Sequence, residues 1–141
     1  MAEAMLRHII KNMGLHKKVI VDSAGTRASQ PGHKPDVRAQ RIMAEMGIGM
    51  AKIKARQITT KDLQKNDLVI VMDRSNYEDL IAICPEEFHS KIVLAMSYAR
   101  HFGEGDVPDP YFGTTTDFEN AFWLLDKAMK GLSAELMDSV T

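Results

Sequence analysis

Residues 68–76 read Leu68-Val69-Ile70-Val71-Met72-Asp73-Arg74-Ser75-Asn76. Five apolar side chains in an unbroken row fit a strand covered on both faces, because a strand with one wet face alternates apolar with polar residues. Asp73 then offers a carboxylate that can accept from the exposed N–H groups of a helix start. That helix is expected to run to about Ile83, with Pro85 fixing its end. A buried-type strand feeding a capped helix is half of a βαβ unit, which places the chain among α/β folds. Working outward, Ile92-Val93-Leu94 reads as another buried strand, and Val19-Ile20-Val21 as a third, ended by Asp22-Ser23-Ala24-Gly25-Thr26. Between them lie helical patterns. Ala2, Met5, Leu6, Ile9, Ile10 and Met13 share one face, and Gly14 stands where a left-handed cap belongs. Pro35 marks a second helix start, with Ala39, Ile42, Met43 and Met46 on one face and Gly47 as the stop. Thr59 to Gln64 reads as a short turn. Thr116 and Glu119 match a capping box ahead of a last helix carrying Ala121, Phe122, Leu125, Ala128, Met129, Leu132 and Leu136. The expected architecture is a doubly wound parallel sheet with flanking helices, in a single domain over residues 1–141 with no repeat or linker.

Composition narrows the function. The 141 residues are 45% hydrophobic and 26% charged, with a formal net charge of −1, which is the profile of one folded globular domain rather than a disordered segment. No apolar run approaches the roughly 20 residues that a bilayer demands, so no membrane span is expected. The near-neutral balance argues against a nucleic-acid partner, which calls for a clustered basic face. A lone cysteine, Cys84, permits neither an intrachain disulfide nor a cysteine cage for a metal, and suits a reducing cytoplasm. His8, His16, His33, His89 and His101 form no closely spaced pair, so no metal is expected.

The first helix poses a question of its own. It begins at residue 1 with no Ser, Thr, Asp or Asn before it, leaving the first N–H groups without a side-chain acceptor. A frayed terminal turn is one reading, and a start internal to a longer reading frame is the other.

Several motifs, taken in order, resemble those of the low-molecular-weight protein tyrosine phosphatases. Asp106-Val107-Pro108-Asp109-Pro110-Tyr111-Phe112-Gly113 is similar to that family's D-P-Y loop. Met1-Ala2-Glu3-Ala4 resembles the start of its first helix, and Asp22-Ser23-Ala24-Gly25-Thr26 the end of its second strand. Gly32 to Ala39 looks like G-x-x-P-D-x-R-A, and Gly47-Ile48 with Lys54-Ala55-Arg56-Gln57-Ile58-Thr59 like G-I…K-A-R-Q-I-T. Asp67 to Leu80 resembles D-x-I-x-x-M-D-x-x-N-x-x-x-L, and Phe118-Glu119 falls where the family has F-E before its last helix. The resemblance spans essentially the whole chain.

That resemblance implies hydrolysis of a phosphate monoester through a cysteinyl-phosphate, with a phosphotyrosine protein as substrate and no cofactor. Asp109 matches the general acid that protonates the leaving phenolate and then activates water, and Tyr111 and Phe112 match the aromatic wall beside the substrate ring. Phe112 replaces the second tyrosine often found in that loop. Ser23 falls at the strand edge that supports the phosphate loop. The loop itself, C-x-x-G-N-x-C-R-S-P, supplies the attacking thiolate and an arginine that grips two phosphoryl oxygens. The family places it directly before the residues matching Met1-Ala2-Glu3-Ala4, so the nucleophile cysteine and the phosphate-binding arginine are absent from these residues. The chain is therefore expected to be N-terminally incomplete, lacking the central first strand of a 2-1-3-4 sheet, and inactive as it stands. Burial of four or five apolar side chains would be lost with that strand, about 6–15 kcal/mol against a typical domain stability of about 5–15 kcal/mol. Cys84 does not replace the nucleophile: C-x5-R from there puts Ser90 where arginine belongs. The alternative is a non-catalytic domain that binds a phosphorylated ligand or a protein. An arsenate reductase on the same fold needs further redox cysteines, which one cysteine does not supply.

Overall fold

The first helix, α1, covers Ala2–Asn12 and buries Met5, Leu6 and Ile10 of the apolar face read from the sequence, together with Ala4, while Ala2, Ile9 and Met13 are partly buried against the same core. It ends as Gly14 dictates. With φ at +74°, Gly14 turns the chain so that its N–H reaches Lys11 O at 3.1 Å and the Leu15 N–H reaches Ile10 O at 2.8 Å. This computed structural model describes residues 1–26, 32–50, 52–99, 101, 105–108 and 113–140.

The second helix, α2 (Val37–Glu45), departs from expectation at its start. Pro35 does not open it; Asp36 is the cap, because only a side chain with an acceptor can take the free N–H of Arg38. Gly47, at φ +77°, closes it as expected. Residues 59–64 are also more regular than the turn read from sequence. They form most of a third helix, α3 (Thr60–Lys65), held at its start by reciprocal bonds between Thr59 and Asp62 and at its end by Lys91 Nζ donating to Leu63 O and Gln64 O. Six residues are too few to show a helical period, so the signal lay in the cap rather than in the pattern.

β1 (Val69–Val71) pairs in parallel with β2 (Ile92–Leu94), in the register Val69 to Ile92 and Val71 to Leu94. The connection runs through α4 (Arg74–Ile83), whose Asp73 cap accepts from Asn76 N at 2.7 Å, and a 3-10 turn over Glu86–Lys91. A further 3-10 turn, Ala95–Tyr98, leads out of β2. The last helix, α5 (Thr115–Val140), starts earlier than the Thr116–Glu119 pair suggests. Thr114 and Asp117 make the reciprocal bonds at 2.7 and 3.3 Å, since they offer the same spacing two residues upstream.

Continuous apolar strands are covered on both faces here, as their composition requires. Leu68, Ile70 and Met72 pack on the larger core, built by α1, α2 and α5 with Ala95 and Met96. Val69 and Val71 turn the other way, into a smaller core of Leu63, Leu80, Cys84 and Ile92. One expected strand is missing. Val19-Ile20-Val21 pairs with no strand among the described residues, and Ile20 is 93% exposed. Its backbone is held instead by a side chain, Arg7 donating to Val21 O through Nε at 3.2 Å and Nη2 at 2.5 Å. The chain rejoins a ladder only at Gly25, in a parallel bridge to Gln57.

Candidate functional site

Four segments converge beside the start of α1: residues 23–25, 33–35, 53–56 with Met50, and Met1 itself. Between them lies an open cleft of about 270 Å³, whose lining includes Ser23, His33, Lys34, Lys54 and Arg56. Among the described residues no side chain caps the first-turn N–H groups of α1, and this end of the helix carries partial positive charge. Burial there pushes the Met1 α-ammonium below its ordinary pKa, with Glu3 opposing the shift.

Each wall is fastened by charge-assisted bonds. Ser23 Oγ donates to Glu3 Oε1, and Glu3 Oε2 pairs with Arg7 Nη2 at 3.0 Å, so α1 grips residues 21–23 through two side chains, Glu3 on Ser23 and Arg7 on Val21 O. Arg56 spans two carboxylates: its guanidinium meets Asp62 at 2.9 and 3.1 Å and Asp22 at 2.8 Å. The Arg56 bond, helped by Thr59, holds the Asp62 carboxyl down to about 2, and Asp62 in turn raises Arg56. Residues 22 and 56–62 are thereby locked as one wall.

Asp109, Tyr111 and Phe112 lie outside the described residues, but both ends of their loop are in place. At the near end, Val107 is buried and donates its N–H to Met72 O at 2.7 Å, while Asp106 Oδ1 accepts from Arg74 N at 2.9 Å. This end meets the carboxyl terminus of β1, the edge at which open α/β sheets bind ligands. At the far end, Arg38 Nη1 donates to Gly113 O at 2.7 Å. The same guanidinium reaches both oxygens of Asp36, at 3.1 and 3.0 Å, and stacks 4.4 Å above the Phe118 ring. Arg38 thus ties the end of the loop to the starts of α2 and α5. Sequence reasoning passed over Arg38, although it is the arginine of the G-x-x-P-D-x-R-A motif.

Cys84 stands apart from all of this. It caps the C-terminal end of α4, only 7% exposed, among Leu63, Val71, Leu80 and Ile92. Its Sγ donates to Pro85 O at 3.4 Å, and burial pushes the thiol up, against a smaller opposing pull from Lys91. His89 contacts the Cys84 carbonyl at 2.9 Å rather than the sulfur. A thiol that is hard to ionise and faces a hydrophobic core is a packing group, not a nucleophile. Among the described residues no three His, Cys, Asp or Glu side chains gather as a metal site, and no helix is long and apolar enough to cross a membrane.

Comparison with known proteins gives the family and the fold. The family described as low molecular weight phosphotyrosine protein phosphatase matches residues 1–141. The chain is similar to a low molecular weight protein-tyrosine-phosphatase of Streptomyces coelicolor, 34% identical, with 99% of this chain and 87% of that protein covered. It is also similar to the human low molecular weight phosphotyrosine protein phosphatase, 35% identical over 86% of this chain and 77% of the other. Among solved structures, a protein tyrosine phosphatase from Entamoeba histolytica superimposes with a TM-score of 0.93 at 30% identity, covering 98% of this chain and 88% of that one.

Proposed function

The chain belongs to the low molecular weight phosphotyrosine protein phosphatase family, and from that premise we propose that its domain serves the hydrolysis of phosphotyrosine in proteins through a cysteinyl-phosphate. Asp109 is the general acid, and Tyr111 with Phe112 flanks the substrate ring. The support for Asp109 is the anchoring of its loop at both ends, by Val107 and Asp106 on the β1 side and by Arg38 on Gly113. An acid must be held within hydrogen-bond reach of the leaving oxygen, and a loop pinned to two helix starts and a strand end meets that need.

These 141 residues do not turn substrate over by themselves. One observation carries this: their single thiol, Cys84, is buried in the smaller core with its ionisation opposed. The assay is release of p-nitrophenol from p-nitrophenyl phosphate by the purified chain, alongside calorimetric titration with a phosphotyrosine peptide and its unphosphorylated twin. The expected result is no release above the enzyme-free blank and tighter binding of the phosphorylated peptide. Saturable turnover would overturn the inactivity, and equal binding of the two peptides would overturn the substrate class.

A further inference from the structure

The inner side of α5 is committed to the larger core through Phe118, Phe122, Leu125, Met129 and Leu132. At 3.6 residues per turn, the side turned away from that core carries Glu119, Trp123 and Lys127, one turn apart along a single stripe. Trp123 is 52% exposed there, although few side chains release more free energy when taken out of water. It is also held in place, since its ring stands edge-on to the buried Phe122 ring, with centroids 5.4 Å apart and planes at 84°. Asn120, Trp123, Leu124 and Lys127 line an open hollow of about 350 Å³. Their i, i+3, i+4, i+7 spacing is the one by which a helix presents anchors to another helix.

We propose that this stripe is a docking surface for a second copy of the chain, the two α5 helices packing antiparallel about a two-fold axis at Trp123. Charge decides the occupant. A two-fold axis at residue 123 sets each residue opposite the one equally far beyond it, so Glu119 of each copy faces Lys127 of the other, about 6 Å along the helix from the axis. The two indole rings meet at the centre, where burial counts most, and the ion pairs stand at the rim. A parallel pairing in register sets Glu119 against Glu119 and Lys127 against Lys127, which like charge disfavours. A net charge of −1 leaves little long-range repulsion between copies. One helix stripe buries less than a standard interface, so the association is weak, with Kd on the order of 0.1 mM. This surface does not depend on the phosphatase reading.

Trp123 is the one tryptophan of the chain, so its emission reports the contact directly. Sedimentation equilibrium and tryptophan fluorescence of the 141-residue chain are followed from about 10 μM to about 1 mM. The average mass should rise from monomer towards dimer, with emission shifted to the blue and acrylamide quenching reduced. K127E and E119K each set like charge across the axis twice and should weaken association about tenfold, an effect that shrinks as salt is raised. E119K/K127E exchanges the two signs and should restore the affinity. W123A should leave the chain monomeric, and K61E, which makes the same charge change as K127E but on α3, should leave association as it is. Circular dichroism reads the fold of each variant, and E119K, at an exposed position, decides the matter if K127E loses helix. A chain that stays monomeric throughout, a dimer that keeps its affinity in W123A, or an E119K/K127E chain that associates no more tightly than the single variants would overturn the surface.

Discussion

Gly131 lies in the interior of α5, where alanine ordinarily stabilises a helix by about 1 kcal/mol over glycine. The structure reverses that sign. A Cβ at residue 131 would fall inside contact distance of the Tyr98 carbonyl oxygen, 3.0 Å from its carbon and 3.2 Å from Tyr98 Cβ. The obstacle is backbone and has nowhere to retreat, because Ala95, Met96 and Ala99 on either side of it are 0, 3 and 5% exposed. Overpacking of this kind costs about 1–3 kcal/mol, and a rigid obstacle belongs at the upper end. After the helical gain, G131A should be destabilised by about 2 kcal/mol. At about 2.1 cal/mol/K per residue, the unfolding entropy of this chain is near 300 cal/mol/K, so Tm should fall by about 7 °C. Thermal unfolding by circular dichroism at 222 nm, repeated in urea, reads the change. A G131A variant with unchanged or higher Tm would refute the close approach of α5 to the turn at residues 95–98.

Other perturbations probe other contacts. R38A removes a bidentate partner of Asp36, a charged bond to Gly113 O and the stacking on Phe118, and should cost about 2 kcal/mol of stability in urea titration. R38K should recover less than half of it, because an ammonium cannot form the fork. L80A should cost about 2–5 kcal/mol, since Leu80 is 1% exposed at the centre of the smaller core. Asp62 is depressed from 3.8 to about 2, so its contribution to stability is whole above pH 3.8 and is lost as pH falls through 3.8 towards 2. Acid unfolding of D62N should lack that part of the pH dependence, a difference of about 1 kcal/mol after solvent screening at the partly exposed Arg56.

Much of the fold was legible because local chemistry and tertiary demand coincide. The apolar run at 68–72 needs cover on two faces and receives it from two cores, and Asp73, Gly14 and Gly47 cap where their side chains or backbone freedom require. What escaped reading depends on partners distant in sequence. Val19-Ile20-Val21 has strand composition, but a strand exists only with a neighbour, and among the described residues Arg7 satisfies Val21 O instead. Residues 60–65 are helical because Thr59, Asp62 and Lys91 close both ends, and Lys91 arrives from 27 residues away. At the site, Asp109 could be named from its motif. Arg38 could not, since its role lies in reaching Gly113, 75 residues on. Nor does spacing reveal that Lys34 and Lys54 share a wall, which the bonds between residues 32–33 and 55 create.

The single thiol of these residues, Cys84, is a core group and not the nucleophile of an anion site. The most direct test is the rate of Cys84 alkylation by iodoacetamide at pH 7, followed by intact mass, with and without inorganic phosphate and with and without urea. The expected result is negligible labelling of the folded chain, no effect of phosphate, and rapid labelling once urea unfolds it. Fast labelling of the folded chain that phosphate suppresses would contradict the claim, since it would mean a reactive thiolate inside an anion site.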